Sequence, residues 1–226
     1  MPSVLVTGAN RGLGLEFARQ YGAAGWRVYA ACREPVAAKE LAALPGEISR
    51  HRLEVTDDAQ IAALAAELAD APLDLLINNA GINYDNGEFG DSDPTSWLHT
   101  LRVNTIAPLR VAEGLIGSLL RGERKVIVNL SSKMASLAEN NSGGDYAYRT
   151  SKAALNMLTR GMAHDLRRRG VTVVVFSPGW VQTDMGGPSA PLPVAESIAG
   201  MRRTIDRLRL ADSGTFLDWQ GRALPW

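Results

Sequence analysis

The sequence predicts an α/β fold, a doubly wound parallel sheet flanked by helices, built as a single domain over residues 1–226. Two observations carry that prediction. Short β-branched runs alternate with alanine- and leucine-rich segments, the pattern of strands joined by crossover helices. The apolar runs also end in turn-forming residues. Val4-Leu5-Val6 enters Thr7-Gly8-Ala9-Asn10-Arg11-Gly12-Leu13-Gly14, and Leu75-Leu76-Ile77 closes in Asn78-Asn79-Ala80-Gly81. Val126-Ile127-Val128-Asn129-Leu130 precedes Ser131-Ser132, and Val173-Val174-Val175-Phe176-Ser177 precedes Pro178-Gly179.

In order, strands are expected at 3–7, 26–31, 48–54, 73–78, 124–130, 171–177 and 214–218. Helices are expected near 12–24, 36–44, 57–70, 95–120, 147–169 and 194–208. Leu15, Phe17 and Ala18 follow the first glycine turn at helical period, which makes strand, glycine turn, helix. Ala62, Ala63, Leu64, Ala65, Ala66 and Leu68 read as ordinary helix packing. Gly/Pro-rich stretches at 81–94, 139–145 and 184–193 fall on the side where such sheets bind ligands, so they are expected to frame a substrate. No long lid interrupts 184–193, which predicts an open site. The aromatic tail through Trp219 to Trp226 reads as packing, or as cover for a neighbouring subunit.

Composition narrows the function. With 226 residues, 46% of them hydrophobic, the chain can fill one α/β core. Lys plus Arg total 24 and Asp plus Glu total 24, so no broad field attracts nucleic acid or an anionic membrane. No apolar run approaches the roughly 20 residues of a membrane span. The N-terminus enters a strand directly, without a basic region and cleavage site, which reads as cytoplasmic. Cys32 is the single cysteine, leaving neither an internal disulfide nor a cysteine metal site. His51, His99 and His164 lack metal-ligand spacing.

Two motifs carry chemistry. Glycines at a strand-to-helix turn let backbone approach a phosphate closely, and the helix start presents unpaired N–H groups and partial positive charge. The spacing here is G-x-x-x-G-x-G. In Tyr148-Arg149-Thr150-Ser151-Lys152 a phenol and an ammonium stand at i and i+4, on one helix face. A tyrosine of ordinary pKa is ionised to about one part in a thousand at pH 7. Each unit of lowering takes about 1.4 kcal/mol of preferential interaction with phenolate, which a neighbouring lysine is expected to supply.

With these motifs in this order, the chain resembles the short-chain dehydrogenase/reductase family over essentially its whole length. Ser132-Lys133-Met134, Gly143-Gly144, Tyr146-Ala147-Tyr148-Arg149 and the stretch Gly179-Trp180-Val181-Gln182-Thr183-Asp184-Met185-Gly186-Gly187-Pro188 resemble its C-factor and sniffer branch. The resemblance implies a Rossmann-type fold and hydride transfer between NADP(H) and a small carbonyl or alcohol substrate. It assigns Tyr148 as general acid/base, Lys152 as the cation beside it that also binds the nicotinamide ribose, Ser132 as the substrate-oxygen partner, and Asn104 as the holder of a relay water. Ser131 and Tyr146 are neighbouring competitors, but Tyr146 has Thr150 rather than lysine at i+4. The Ser132 to Tyr148 interval is 16 residues, longer than usual in the family, so 140–144 is expected to loop toward substrate.

The cofactor residues implied are Gly8, Asn10, Arg11, Gly12, Leu13 and Gly14 in the glycine turn, then Arg33, Glu54 and Val55. Asn79, Ala80 and Gly81 follow, with Tyr148, Lys152, Pro178, Gly179, Val181 and Thr183. The strand end Ala30-Ala31-Cys32-Arg33 has no carboxylate to pair with ribose hydroxyls, whereas Arg33 and Arg11 suit a 2′-phosphate. One charge-assisted bond of about 1.5–3 kcal/mol gives about tenfold to a hundredfold preference, so NADP(H) is expected, with NAD(H) the alternative. Glu54 stands where the family commonly carries aspartate. Asn78 and Asn79 read equally as strand stitching, and Trp180 as nicotinamide wall or packing. The resemblance also allows a homodimer or homotetramer through helices 95–120 and 147–169, whose apolar faces include Leu109, Leu115, Leu155 and Leu158, although core packing accounts for the same residues. A dinucleotide-binding signalling protein of C-factor type, with little turnover, is the alternative function.

Overall fold

A computed structural model describes residues 1–84 and 87–226; residues 85 and 86 of the expected loop 81–94 lie outside the described residues. The strands are β1 (Ser3–Thr7), β2 (Arg27–Cys32), β3 (Ile48–Arg52), β4 (Leu75–Asn78), β5 (Val126–Leu130), β6 (Thr172–Ser177) and β7 (Phe216–Asp218). They form one seven-stranded parallel sheet in the order β3-β2-β1-β4-β5-β6-β7. The helices are α1 (Gly12–Ala23), α2 (Lys39–Ala42), α3 (Asp58–Glu67), α4 (Pro94–Leu101), α5 (Ala107–Arg121), α6 (Tyr146–Leu166) and α7 (Val194–Ile205).

The continuous apolar runs follow from burial of both sheet faces, since successive strand residues point to opposite sides. Val4, Val6, Leu75, Ile77, Val126 and Val128 pack with α1 and α7 through Phe17, Tyr21, Ile198 and Met201. Leu5, Leu76, Ile127 and Val173 pack with α3, α5 and α6 through Ile61, Leu64, Leu115 and Met162. Strand order reverses at β1 and β4, which lie side by side with Val6 opposite Ile77. Their C-terminal turns therefore meet at the switch point where open parallel sheets bind ligands.

Local chemistry trims the expected elements. The run 73–78 becomes strand only at Leu75, because the Leu73 N–H bonds to the Ser118 carbonyl and the Asp74 carboxylate accepts from the Ser3 N–H at 2.9 Å. Helix 36–44 shrinks to four residues before Pro45 and Gly46. The expected helix 95–120 is divided by a π-turn over Arg102–Ile106. Pro108 has no N–H to give the Asn104 carbonyl one turn back, and Ala107 bonds five residues back to Arg102. That wider turn faces loop 81–94. The tail folds onto β7: the Leu224 N–H reaches the Phe216 carbonyl, and the Trp226 ring stacks on Phe216 at 5.5 Å.

Candidate active site

The glycine turn after β1 is built to remain bare. Gly8 and Gly12 have φ of +65° and +54°, a region side chains disfavour. A Cβ on Gly14 would lie 2.2 Å from the Gly8 carbonyl oxygen and 2.6 Å from Asn79 Nδ2. Asn79 holds the turn from the β4 side, with Nδ2 donating to the Thr7 carbonyl at 2.8 Å. Thr7 Oγ1 accepts from the N–H groups of Asn79 and Ala80, each at 3.0 Å. The α1 N-cap, Arg11, is extended and its side chain makes no cap bond. Unpaired first-turn N–H groups over a surface without side chains fit a diphosphate.

Beside this cradle lies the turn after β6. Thr183 Cγ2 would be 3.5 Å from a Cβ on Gly12. Val181 is buried and bridges to Leu192, Gly179 takes φ +88°, and the Pro178 carbonyl accepts from Ser197 Oγ at 2.6 Å. Trp180 is 58% exposed, with its indole N–H donating to the Gly186 carbonyl at 2.7 Å. It is thus a fixed surface plate rather than core packing.

At the far end of the groove, Arg33 is exposed and has no hydrogen-bond or ion-pair partner among the described residues. Arg11, the second cation expected from the sequence, is engaged within the protein. Its Nη1 is paired with Asp184 Oδ2 at 2.5 Å, because the turn after β6 brings a carboxylate over the glycine turn. A cavity of about 240 Å³ lies here, lined by Asn10, Glu34, Ala37, Ala38, Lys39 and Glu40. Lys39 was missed by sequence reasoning, where it is one more charge in a short helical segment. Glu54 caps its own turn, accepting from Thr56 N–H and Oγ1 at 3.2 and 3.0 Å, next to buried Val55.

At the C-terminal ends of β4 and β5 the residues expected to handle the proton converge. Lys152 is buried on α6, with Nζ donating to the Leu130 carbonyl at 2.8 Å. Its Nζ lies 5.8 Å from the Tyr148 ring centroid. A Cβ on Gly81 would sit 3.3 Å from Lys152 Nζ and 3.2 Å from Asn104 Oδ1, so glycine keeps both groups close. Asn104, in the π-turn, pairs with both main-chain groups of Ile82 at 2.9 and 2.8 Å and donates to Ser151 Oγ at 3.0 Å. The Ser132 hydroxyl accepts from the Met134 N–H at 3.1 Å and lies near enough to the Tyr148 phenol to act on its ionisation. Ser131 instead turns its hydroxyl to the Lys152 carbonyl and is buried, which separates the two competing serines.

The electrostatics depart from expectation at the phenol. Burial pushes Tyr148 above its ordinary value; the nearby Ser132 hydroxyl opposes this, and the Asp145 charge adds to it. Lys152 does not produce the expected lowering, because its ammonium lies beside the ring and its nearest acceptor is Leu130. Burial takes Lys152 itself down to about 8, so it is about nine-tenths protonated at pH 7.

Other expectations resolve by packing. Asn78 stitches strands, with Nδ2 donating to Asn129 Oδ1 at 2.9 Å and to the Pro108 carbonyl at 3.2 Å. Leu115 and Leu155 are in the core, and Leu109 and Leu158 pack partly buried against it, so these side chains do not form a free pairing face. Loop 139–145 is pinned at the mouth by Arg149 Nη2 to Ser142 Oγ at 2.8 Å and by the Asp145 N–H to the Gly87 carbonyl at 3.2 Å. Among the described residues, no group of three metal-ligating side chains occurs and no helix is long and apolar enough to cross a membrane.

One end of this groove suits a diphosphate and the other places hydroxyls for proton transfer, which together define a dinucleotide-dependent oxidoreductase. The family model for short chain dehydrogenase matches residues 2–191. The chain belongs to the short-chain dehydrogenase family and is a short-chain oxidoreductase. It is 46% identical over 164 residues to C-signal of Myxococcus xanthus, an overlap of 73% of this chain and 99% of that protein. Among solved structures, an NADPH-bound carbonyl reductase from chicken fatty liver is 38% identical with a TM-score of 0.92, covering 100% of this chain and 99% of that one. The carbonyl reductase Sniffer of D. melanogaster is 34% identical with a TM-score of 0.94, covering both chains completely.

Proposed function

We propose that residues 1–226 act as one dinucleotide-binding domain that transfers hydride between NADP(H) and a carbonyl or alcohol substrate, as a carbonyl reductase or alcohol dehydrogenase. The observation that carries this reading is the meeting of Lys152 Nζ and Asn104 Oδ1 at Gly81, with Ser132 and Tyr148 beside them. The bare glycine turn and the turn at Val181 and Thr183 would hold the dinucleotide, and Arg33 would pair with its 2′-phosphate. The NADPH in the chicken carbonyl reductase supports that cofactor assignment.

When bound, a nicotinamide would supply or accept the hydride. Ser132 and Tyr148 donate toward the substrate oxygen where negative charge grows, and Tyr148 delivers its proton there. The raised phenol pKa keeps Tyr148 protonated and ready to act as an acid in reduction. Lys152, still mostly charged at neutral pH, stabilises the phenolate left behind, and Asn104 fixes the Ile82 and Ser151 segments around it. A regulator that only binds nucleotide needs the glycine cradle but neither the hydroxyl pair nor a buried ammonium, which favours turnover. Purified protein should oxidise NADPH with members of a panel of aldehydes, ketones and quinones. Tight NADPH binding without turnover of any of them would end this reading.

A further inference from the structure

We infer that Asp184 is a specificity-determining residue: by holding Arg11 across the glycine turn, it competes with a cofactor 2′-phosphate and tempers the preference for the phosphorylated dinucleotide. The inference rests on the NADP(H) reading above. The two arginines that follow β1 and β2 differ in state. Arg33 is exposed and unpaired among the described residues, whereas Arg11 is engaged by Asp184 at 2.5 Å.

The backbone that carries the Asp184 carboxylate is held in place. Asp184 sits in a turn closed by Gly187 N–H to the Thr183 carbonyl at 2.8 Å and Gly186 N–H to Thr183 Oγ1 at 3.1 Å. The Trp180 indole ties down Gly186, and the Gln182 N–H bonds to the Leu192 carbonyl at 2.9 Å. A Cβ on Gly186 would fall 2.0 Å from the Val181 carbonyl oxygen, so the turn is packed closely against Val181. The Arg11 side chain is long, 67% exposed and free of any cap bond, hence the member able to swing. To reach a ribose phosphate it must release Asp184. A phosphate carries up to two charges against one, so the exchange is favourable but opposed.

Because the pair is solvent-exposed, its effect is a few-fold. In calorimetric titration, Asp184→Asn should tighten binding of 2′,5′-ADP by about two- to fivefold and leave 5′-ADP unchanged. Asp184→Ser should do the same. In an Arg11→Ala background the gain should vanish. An Asp184→Asn protein that binds 2′,5′-ADP no better than the parent overturns the inference. So does equal tightening of 5′-ADP, which would mark general charge removal, or a gain that persists without Arg11. Failure of the NADP(H) reading looks different: the unaltered protein would bind 2′,5′-ADP no more tightly than 5′-ADP.

Discussion

Replacing Gly14 with alanine separates the cradle's architecture from its binding role. The added methyl would meet the Gly8 carbonyl oxygen at 2.2 Å, Asn79 Nδ2 at 2.6 Å and the Gly8 carbonyl carbon at 2.8 Å. Real Cβ contacts stay beyond 3.0 Å, so α1 and the glycine turn must part by about 0.8 Å. None of the three atoms is the free end of a flexible chain. Asn79 is held by its bonds to the carbonyls of Thr7 and Gly8 at 2.8 and 3.3 Å, which the displacement would break. Overpacking costs about 1–3 kcal/mol and each of the two lost hydrogen bonds about 1 kcal/mol, or roughly 3–5 kcal/mol in all. For a chain of this size that lowers Tm by roughly 6–20 °C. Gly12→Ala is the matched control. Its methyl has nothing nearer than Thr183 Cγ2 at 3.5 Å but is forced to φ +54° and projects toward the opposite wall of the groove. It should cost about 1–2 kcal/mol of stability while weakening nucleotide binding more strongly. Thermal melts and nucleotide titrations of both proteins decide the matter. A Gly14→Ala protein that melts within about 2 °C of the parent would refute the collision.

Tyr148→Phe should lower kcat by about 10²–10⁴-fold in a steady-state reduction assay and change NADPH affinity only a few-fold; preserved kcat would remove the phenol from proton transfer. Arg33→Ala should weaken NADPH binding by about tenfold to a hundredfold and leave NADH unaffected, as read by fluorescence titration. Lys152 adds a pH signature to stability. Its folded pKa of about 8 is below the unfolded 10.5, so between those values the unfolded chain binds more protons and stability rises with pH. Lys152→Met should abolish that rise in urea titrations run from pH 7.5 to about 10.5; an unchanged slope would assign it elsewhere. Trp226→Ala removes the ring packed on Phe216 and loosens the tail whose carbonyl accepts from Ala138 N–H and Ser136 Oγ. Substrate KM should rise several-fold while 2′,5′-ADP affinity holds, and equal loss of both would indicate general unfolding.

The fold was legible because both faces of the sheet are buried: β4, β5 and β6 are buried throughout and mostly apolar, and each terminates in residues that the adjacent turn requires. The Tyr148 and Lys152 spacing likewise survives in the structure, since helical geometry fixes which face they share. What escaped is nonlocal. Arg11 and Asp184 are 173 residues apart, and nothing near either position announces the pair. Lys39 lines a cavity only because the turn after β2 folds back beside Asn10. The π-turn depends on Pro108 acting together with the bonds from Asn104 to Ile82, and each alone reads as an ordinary interruption of a helix. The direction of the Tyr148 shift was misjudged for a related reason: spacing reports proximity to a cation, whereas burial depends on every element around the phenol.

Lys152 gives the strongest physical argument for catalysis over binding alone. Lowering an ammonium from its ordinary value to about 8 means that its charged form is disfavoured in the fold by on the order of 3 kcal/mol at neutral pH. The Leu130 carbonyl offsets part of the desolvation but supplies one acceptor to a group with three donors. A methionine of similar length would fill the same space without that cost. Structure alone therefore gives no reason for lysine at this position, and the rest of the pocket increases the penalty: Gly81 leaves room beside Nζ, and Asn104 directs its amide bonds to Ile82 and Ser151. The arrangement becomes favourable when negative charge develops next to the ammonium. In the reaction proposed above, proton donation from Tyr148 would create that charge one turn away on α6, so the energetic defect of the resting fold would become stabilising in that step.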